Sequence, residues 1–272
     1  MILSIGLNID KINDLNLSPR DRSTGLRDRE SINLWWSAAI FERVILCDIP
    51  GCKQAPILRF PGPEAALPPD LSPEEGHSES IHFPSRPTLS ELEAKNISGF
   101  GRQIQVTHLL DHLLSILINP VTNKQHHIAI LQSLDQRIQM FMAVLICDCD
   151  HEWRYYCGAI GIATRSLFLL HEHIQTLHPS SDIKWLQKCS VAGLGFVTKV
   201  MVDVAHDHLE RVTPTNAGAL PLLCAYNLHA AIKQIKFEQI QKKANNDKDH
   251  NADLNSLLAL DNICYQRWCK RP

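Results

Sequence analysis

The chain has 272 residues, of which 44% are hydrophobic and 21% are charged, and its formal net charge is −2. This is the composition of an ordinary globular domain with a sizeable buried core, and it lacks the excess of Lys and Arg with which proteins grip nucleic acid. No apolar run approaches the roughly 18 residues of a membrane span, and the first residues lack the features of a secretory signal.

The first predicted helix contains two adjacent tryptophans, Trp35 and Trp36. Neighbouring residues point about 100° apart on a helix, so we expect one tryptophan to enter the core and the other to cover a neighbouring helix. Glu42 and Arg43 are also adjacent. We expect them to pair poorly with each other, and one or both to tie the helix to a neighbouring segment through a buried ion pair.

Residues 50–87 form the clearest shift in composition, because they hold nine of the fifteen prolines. Residues 59–93 carry seven acidic side chains against two arginines, a local net charge of −5. Proline removes the hydrogen bonds of helix interiors and strand ladders. The composition therefore predicts a long, acidic, irregular loop that runs over the surface.

The remainder of the chain is predicted to be helical, because apolar residues recur there at intervals of three and four. The predicted helices cover about residues 106–118, 131–146, 152–178, 181–213, 222–244 and 251–270, the fourth of them stopping near Pro214. The third is apolar on most sides, which is typical of a central helix. Asn119-Pro120 should end the first, and Ser180 or Ser181 should cap the fourth. Alternation at period two is nearly absent, so we predict an all-α fold of about seven or eight helices.

Histidine pairs are the first candidates for a metal site, since the chain has fourteen histidines. His171 and His173 resemble the start of a zinc-protease motif, but Gln175 stands where the second ligand should be. Residues two apart on a helix do not face each other. The same objection applies to His206 and His208, and we interpret all four as exposed or capping residues.

Cysteines offer a second set of candidate metal ligands. Residues 147–151 read Cys-Asp-Cys-Asp-His, but structural zinc usually requires a second ligand pair, and Cys157 is the only later thiol nearby. Cys47 and Cys52 lack a matching pair as well. We interpret residues 147–151 as a polar helix end. The apolar surroundings of most thiols predict buried free cysteines in a reducing compartment, among them Cys147, Cys157, Cys189 and Cys224.

Motifs for nucleophilic catalysis and phosphate binding are missing from the sequence. It contains no G-x-S-x-G and no Walker loop, and Gly193-Leu194-Gly195 is followed by Thr198 where a dinucleotide fingerprint needs glycine. Such glycines more often permit close packing of helices. We therefore predict a protein that is not an enzyme, with no catalytic, cofactor-binding or metal-binding residue.

Residues 29–45 read Arg-Glu-Ser-Ile-Asn-Leu-Trp-Trp-Ser-Ala-Ala-Ile-Phe-Glu-Arg-Val-Ile. This block resembles the middle homology region of fungal Zn2Cys6 transcription factors, which reads roughly R-R-x-x-W-W-x-x-x-x-x-D-R. Glu42 stands where Asp is commonest in that family, and Glu30-Ser31 where a second basic residue is common. Weaker similarities follow in the family's order and extend the resemblance over most of the chain, at residues 5–17, 66–70, 153–160, 169–171, 221–226 and 266–268.

The resemblance implies that residues 1–272 are a partial regulatory domain of such a factor, in which Trp35, Trp36, Glu42 and Arg43 maintain the fold. It also implies a nuclear protein, or else a cytoplasmic one, and a homodimer in the full-length form. The six-cysteine zinc cluster of the family has no counterpart here, so zinc and DNA are expected only on a missing N-terminal element. Expected partners are a small-molecule effector or a regulatory protein, but no membrane.

The faces at residues 106–118 and 131–146 could line an effector pocket, although they are more readily explained as plain core. Two other interpretations stay open: a helical scaffold or interaction protein without a transcriptional role, and a degenerate paralogue that lacks DNA binding. The missing 30–50-residue repeat argues against an α-solenoid scaffold. A helical enzyme of the terpenoid type would need an acidic D-D-x-x-D motif, which neither residues 148–150 nor residues 247–249 supply.

Overall fold

A computed structural model describes residues 22–48, 54–68, 86–119, 123–148, 153–178, 181–211, 222–241 and 248–268. These residues form seven α-helices and no β-strand, which confirms the predicted all-α class. The helices are α1 (Arg22–Asp48), α2 (Gly99–Ile118), α3 (Lys124–Asp148), α4 (Trp153–Thr176), α5 (Ser181–Arg211), α6 (Leu222–Gln241) and α7 (Lys248–Trp268).

The ends of several helices follow from capping residues. Ser98 has an extended backbone before α2, and its hydroxyl accepts a hydrogen bond from the Gly101 amide at 3.1 Å. Helix α2 ends at Ile118, where the Asn119 amide still donates to the Ser115 carbonyl. Helix α5 begins at Ser181. The predicted helix ends near Asn119 and Ser181 are therefore confirmed.

Helix α4 is the centre of the fold. It packs against α2 most extensively, and also against α1, α3, α5 and α6. Its buried side chains lie on most sides of the helix, and the small ones, Ala159 and Ala163, let neighbouring helices approach closely. The prediction of a central helix from the all-round apolar pattern is confirmed.

The described parts of the proline-rich stretch contain no helix, and residues 54–68 lie beside residues 86–98. The Leu67 amide donates to the Pro87 carbonyl at 2.9 Å, and the Leu89 amide donates to the Ala65 carbonyl at 3.0 Å. Phe60, Leu67 and Leu89 are buried, so this region anchors itself in the core. Residues 50–53 and 69–85 lie outside the described residues, and the loop as a whole stays a prediction.

We expected no segment apolar enough to span a membrane, but helix α5 is apolar enough by length and composition. An 18-residue window within Ile183–Glu210 has a mean hydropathy of 1.3, and the helix is long enough to cross a membrane. The helix packs against α4, α6 and α7, and its inner face buries residues such as Leu194 and Val197. Its outer face carries the exposed Trp185 and the ion pair of Lys199 with Asp203. The packing accounts for the apolar inner face as part of the helical core.

Candidate functional site

Trp35 and Trp36 are both buried, where we had expected one to enter the core and the other to cover a neighbouring helix. Their exposed fractions are 7% and 1%, and their rings meet edge to face with centroids 4.9 Å apart. The Trp36 ring also contacts Phe60 at 5.4 Å. The reason is the irregular segment 54–68, whose Phe60 covers the side of α1 that a neighbouring helix was expected to cover.

Glu42 and Arg43 do pair with each other, contrary to the expectation, since Arg43 Nη1 donates to Glu42 Oε2 at 2.6 Å. They meet because both side chains converge on the same segment. Glu42 Oε1 accepts from the Ile57 amide at 2.6 Å, and Glu42 Oε2 accepts from the Leu58 amide at 3.1 Å. Arg43 donates to the Leu58 carbonyl and, through Nε, to Asp111 Oδ1 at 2.9 Å.

This Arg43 junction (Glu42, Arg43, Ile57, Leu58 and Asp111) joins α1, the irregular segment and α2. The predicted tie from α1 to a neighbouring segment is therefore confirmed, with two segments instead of one. Arg43 is 1% exposed, and its guanidinium lies 5.3 Å from the centre of the Phe60 ring. Each of its three guanidinium nitrogens donates to an oxygen atom of the protein. This arrangement is typical of a structural residue.

A second buried arginine, Arg102, was missed from the sequence. Its Nε and Nη2 donate to Asp148 Oδ2 at 3.0 and 2.7 Å, and its guanidinium also reaches the carbonyls of Leu92 and Ala94 at 2.7 and 2.8 Å. Gln105 accepts a further hydrogen bond from it at 3.0 Å. The sequence contained one signal of this burial: Arg102 and Gln105 continue the three-and-four spacing of the apolar face of α2 towards its N-terminus.

Asp148 is also the one carboxylate of the Cys-Asp-Cys-Asp-His run that the structure describes. It stands at the end of α3, as predicted, and its Oδ2 is engaged by Arg102. Cys147 is exposed, and residues 149–151 lie outside the described residues. Among the residues that the structure does describe, no group of three or more His, Cys, Asp or Glu side chains is placed to hold a metal ion.

The interpretation of His171 as an exposed or capping residue is wrong. The side chain is buried, with Nε2 3.5 Å from Asp135 Oδ1, and burial lowers the pKa of His171 while the Asp135 carboxylate raises it in part. A Cβ atom on Gly193 would overlap the imidazole ring. Gly193 therefore allows α5 to approach α4 at His171, which confirms the packing role predicted for it, whereas Gly195 faces open space.

The other histidines divide between surface and core. His173 is half-buried, and its Nε2 lies 3.4 Å from His127 Nε2. The pKa of His173 is lowered mainly by burial and, to a lesser degree, by the nearby His127 ring. His206 is exposed, as expected, but His208 is buried. An alternating histidine pattern carries no information about burial, because it does not reveal which face of the helix meets a neighbour.

The prediction of buried thiols is confirmed for Cys224 and is wrong for Cys147 and Cys189, which are exposed. Cys157 is partly buried. The pKa of the Cys224 thiol is raised far above its ordinary value, mainly by a hydrogen bond with Cys264 and to a lesser degree by burial. Cys224 is therefore a protonated, unreactive thiol at neutral pH. Cys52, the expected neighbour of Cys47, lies outside the described residues.

An apolar cavity of about 300 Å³ lies between α3, α4, α5 and α6. Helix α3 contributes Met142 and Ile146, so part of the predicted face at residues 131–146 does line a cavity. The face at residues 106–118 does not line it, because α2 packs directly against α4. A second cavity, of about 640 Å³, lies between residues 87–94 and the outer side of α3 and has charged residues such as Arg137 in its wall.

Two buried oxygen atoms in the apolar cavity have no hydrogen-bond partner among the described residues: Thr164 Oγ1 and Asn227 Oδ1. The Asn227 amide nitrogen donates to the Gly161 carbonyl at 2.8 Å, which fixes the direction of Oδ1. Asp203 and Asp207 lie at the more exposed part of the wall. The cavity thus combines an apolar body, two unused acceptors and acidic residues at its edge.

Comparison with known proteins adds no relative, since no protein-family model, no curated protein and no solved structure matches this chain. The Trp35-Trp36 block and the geometry above are therefore the basis for any functional proposal.

Proposed function

We propose that this chain is a regulatory domain of a fungal zinc-cluster transcription factor and controls transcription by RNA polymerase II. The observation that carries the proposal is the Trp35-Trp36 block with Glu42 and Arg43, which resembles the middle homology region of that family. In the folded chain these residues are buried or engaged at the Arg43 junction. This placement supports the structural role that the family resemblance implies for them.

The proposed mechanism is control of activation by a molecule or protein that binds among the helices. The apolar cavity beside α4 supports this mechanism, because α4 contacts five of the other described helices. A ligand that binds one arrangement of these helices better than another would shift the balance between them. DNA and zinc would be bound by an N-terminal cluster that is not among these residues.

A reporter assay tests this function. The chain is fused to a heterologous DNA-binding domain, once alone and once with a constitutive activation domain, so that both activation and inhibition are measured. We expect at least one fusion to change reporter output by about fivefold or more relative to the same fusion without the chain. Equal output from the matched fusions, at equal protein levels, would contradict the proposal.

Matched variants show whether the effect needs the folded chain. Arg43→Met removes the centre of the Arg43 junction and should reduce the change in reporter output. Lys233→Met removes one partner of an exposed ion pair between α6 and α4, outside the cavity wall, and should preserve it. Equal effects of the two variants at equal fusion-protein levels would show that the change in output does not depend on the folded Arg43 junction.

A helical interaction protein is the second candidate, and one feature of α1 favours it. Leu34, Phe41 and Ile45 are each more than half exposed, and together with Ala38 they form a stripe at helical spacing. Exposed apolar stripes of this kind mark protein contacts more often than isolated apolar residues do. A scaffold would leave both reporter fusions unchanged, so the same assay separates the two candidates.

A further inference from the structure

We propose that the apolar cavity between α3, α4, α5 and α6 binds a small, mostly apolar molecule that carries one hydroxyl or amine group and no negative charge. The binding site is a property of the described residues alone. A role for this molecule as the effector of transcription rests on the proposed function and is tested separately below.

The size of the cavity limits the ligand. A cavity of about 150 Å³ holds a benzene molecule, and this one measures about 300 Å³. It therefore suits a molecule of about ten to fifteen non-hydrogen atoms, at the lower end of known ligand pockets. Met142, Ile146, Ile160, Met201 and Val204 supply an apolar wall for the body of such a molecule.

The two unused oxygen atoms determine the polar group of the ligand. Thr164 and Asn227 are 0% and 1% exposed, so water reaches neither side chain freely. Gly161 and Thr164 lie three residues apart on one face of α4, and Asn227 is fixed to the Gly161 carbonyl. Thr164 and Asn227 therefore both adjoin the same turn of α4. A hydroxyl or amine group on the ligand would supply the donor that they lack.

The charge of the wall excludes acids. Its formally charged side chains are two carboxylates at the edge: Asp203, which forms an exposed ion pair with Lys199 at 3.0 Å, and Asp207. Because Lys199 compensates only one of them, the edge disfavours a carboxylate ligand and favours an amine. The wall also includes the thiol of Cys224, which is held protonated by its hydrogen bond with Cys264 and by burial. Cys157 supplies a second, partly buried thiol to the wall, and the proposed ligand carries no group that reacts with either thiol.

Four probes of nearly equal size separate these contributions. Nonanol and nonylamine carry a donor, methyl octyl ether has the same atoms as nonanol but no donor, and nonanoate carries a negative charge. Calorimetry on the whole chain should show that nonanol and nonylamine bind at least about tenfold more tightly than the ether and nonanoate, the factor that about 1.4 kcal/mol of hydrogen bonding or repulsion produces.

A pair of threonine variants places the donor contact. Thr164→Val keeps the shape of the side chain and should weaken nonanol binding about tenfold while binding of the ether stays equal or improves. Thr198→Val is the control, because Thr198 is a buried threonine on α5 with an equally unpartnered hydroxyl that does not line the cavity. It should leave the affinity for all four probes unchanged. Melting curves of both variants show whether they are folded.

Three results would overturn the site: absence of nonanol binding, equal affinity for nonanol and the ether, or equal effects of Thr164→Val and Thr198→Val. A cavity-filling variant, Val204→Trp, should abolish binding of every probe while the chain still unfolds cooperatively. The reporter fusions with added nonanol then test the effector role. An unresponsive reporter, together with the expected calorimetry, would overturn that role and leave the ligand site established.

Discussion

Two regions of this molecule bury polar side chains in opposite ways. At the Arg43 junction, the guanidinium reaches two carboxylates and a carbonyl, and Glu42 accepts hydrogen bonds from two backbone amides. The second region is where α4 packs against α5 and α6. Thr164 and His171 of α4 and Asn227 of α6 are equally buried there, yet each has an oxygen or nitrogen atom without a hydrogen-bond partner among the described residues.

This contrast gives a criterion that separates structural from functional polar residues in a helical domain. A buried polar group that is satisfied within the protein stabilises one arrangement of its neighbours. A buried polar group without a partner lowers stability. Where a cavity lies beside such a group, a bound ligand could supply the missing partner. By this criterion Glu42 and Arg43 maintain the fold, and the candidate for ligand binding is the cavity side of α4.

The largest loss of stability is expected from a substitution at the Arg43 junction. Arg43→Met should lower the free energy of unfolding by about 2–4 kcal/mol, because Asp111 and the Leu58 carbonyl lose their partner in a buried site. Glu42 and Asp111 are partly exposed, so water compensates for some of the loss. Urea denaturation of the purified chain measures the change.

The control for this variant is Lys199→Met on the exposed face of α5. The ion pair of Lys199 with Asp203 is solvated, so its loss should change the free energy of unfolding by less than about 0.5 kcal/mol. Equal stability of the two variants would show that the Arg43 junction contributes no more than a surface ion pair.

A pair of glycines tests the contact between α4 and α5. Gly193→Ala should destabilise the chain by about 1–3 kcal/mol, since the added methyl group overlaps the His171 ring and forces it to move. Gly195→Ala should instead stabilise the chain by up to about 1 kcal/mol, because its Cβ meets open space and alanine favours the helix. Thermal melting of both variants measures the difference, and a shift of the same sign for both would contradict the packing described here.

The smallest expected effect is a change in pH dependence. Burial lowers the pKa of His171, so the unfolded chain takes up a proton more readily than the folded one. Stability is therefore complete above the ordinary histidine pKa of about 6.5 and falls as the pH drops below it. His108, His112, His127 and His173 act in the same direction, because burial is the first cause that lowers the pKa of each.

Replacing one of these histidines should flatten the dependence. We expect His171→Gln to lose less stability than the natural chain between about pH 7.5 and pH 5.5, the range in which histidine titrates. His206→Gln replaces an exposed histidine on α5 and serves as the control. Urea midpoints at several pH values measure both, and an unchanged slope in His171→Gln would show that His171 is not responsible for the loss.

Much of the fold could be predicted from the sequence, because helix periodicity and capping are local properties. The central position of α4 followed from its apolar surroundings on most sides, and Asn119 and Ser181 marked helix ends. The arginine contacts could not be predicted in the same way. Arg43 and Arg102 bind backbone carbonyls of irregular segments, and every residue has a carbonyl, so the sequence contains no signature of these partners.

The candidate site was predictable only in part, for a related reason. The face at residues 131–146 was one of two that could line a pocket, although plain core was the favoured explanation, and Met142 and Ile146 do line the cavity. The remaining walls come from three other helices whose relative placement depends on packing. Thr164 and Asn227 stand in sequence among apolar residues like many satisfied core residues, and only the folded chain shows that their oxygen atoms have no partner among the described residues.

The proposed regulatory role within a zinc-cluster factor is best tested on the transcript. The measurement is the complete coding sequence of the messenger RNA upstream of the codon for Met1. We expect an in-frame segment with six cysteines in the order C-x2-C-x6-C followed by C-x2-C-x6-C, which would bind zinc and DNA. An in-frame stop codon directly upstream, with no such cysteines in any transcript, would contradict it.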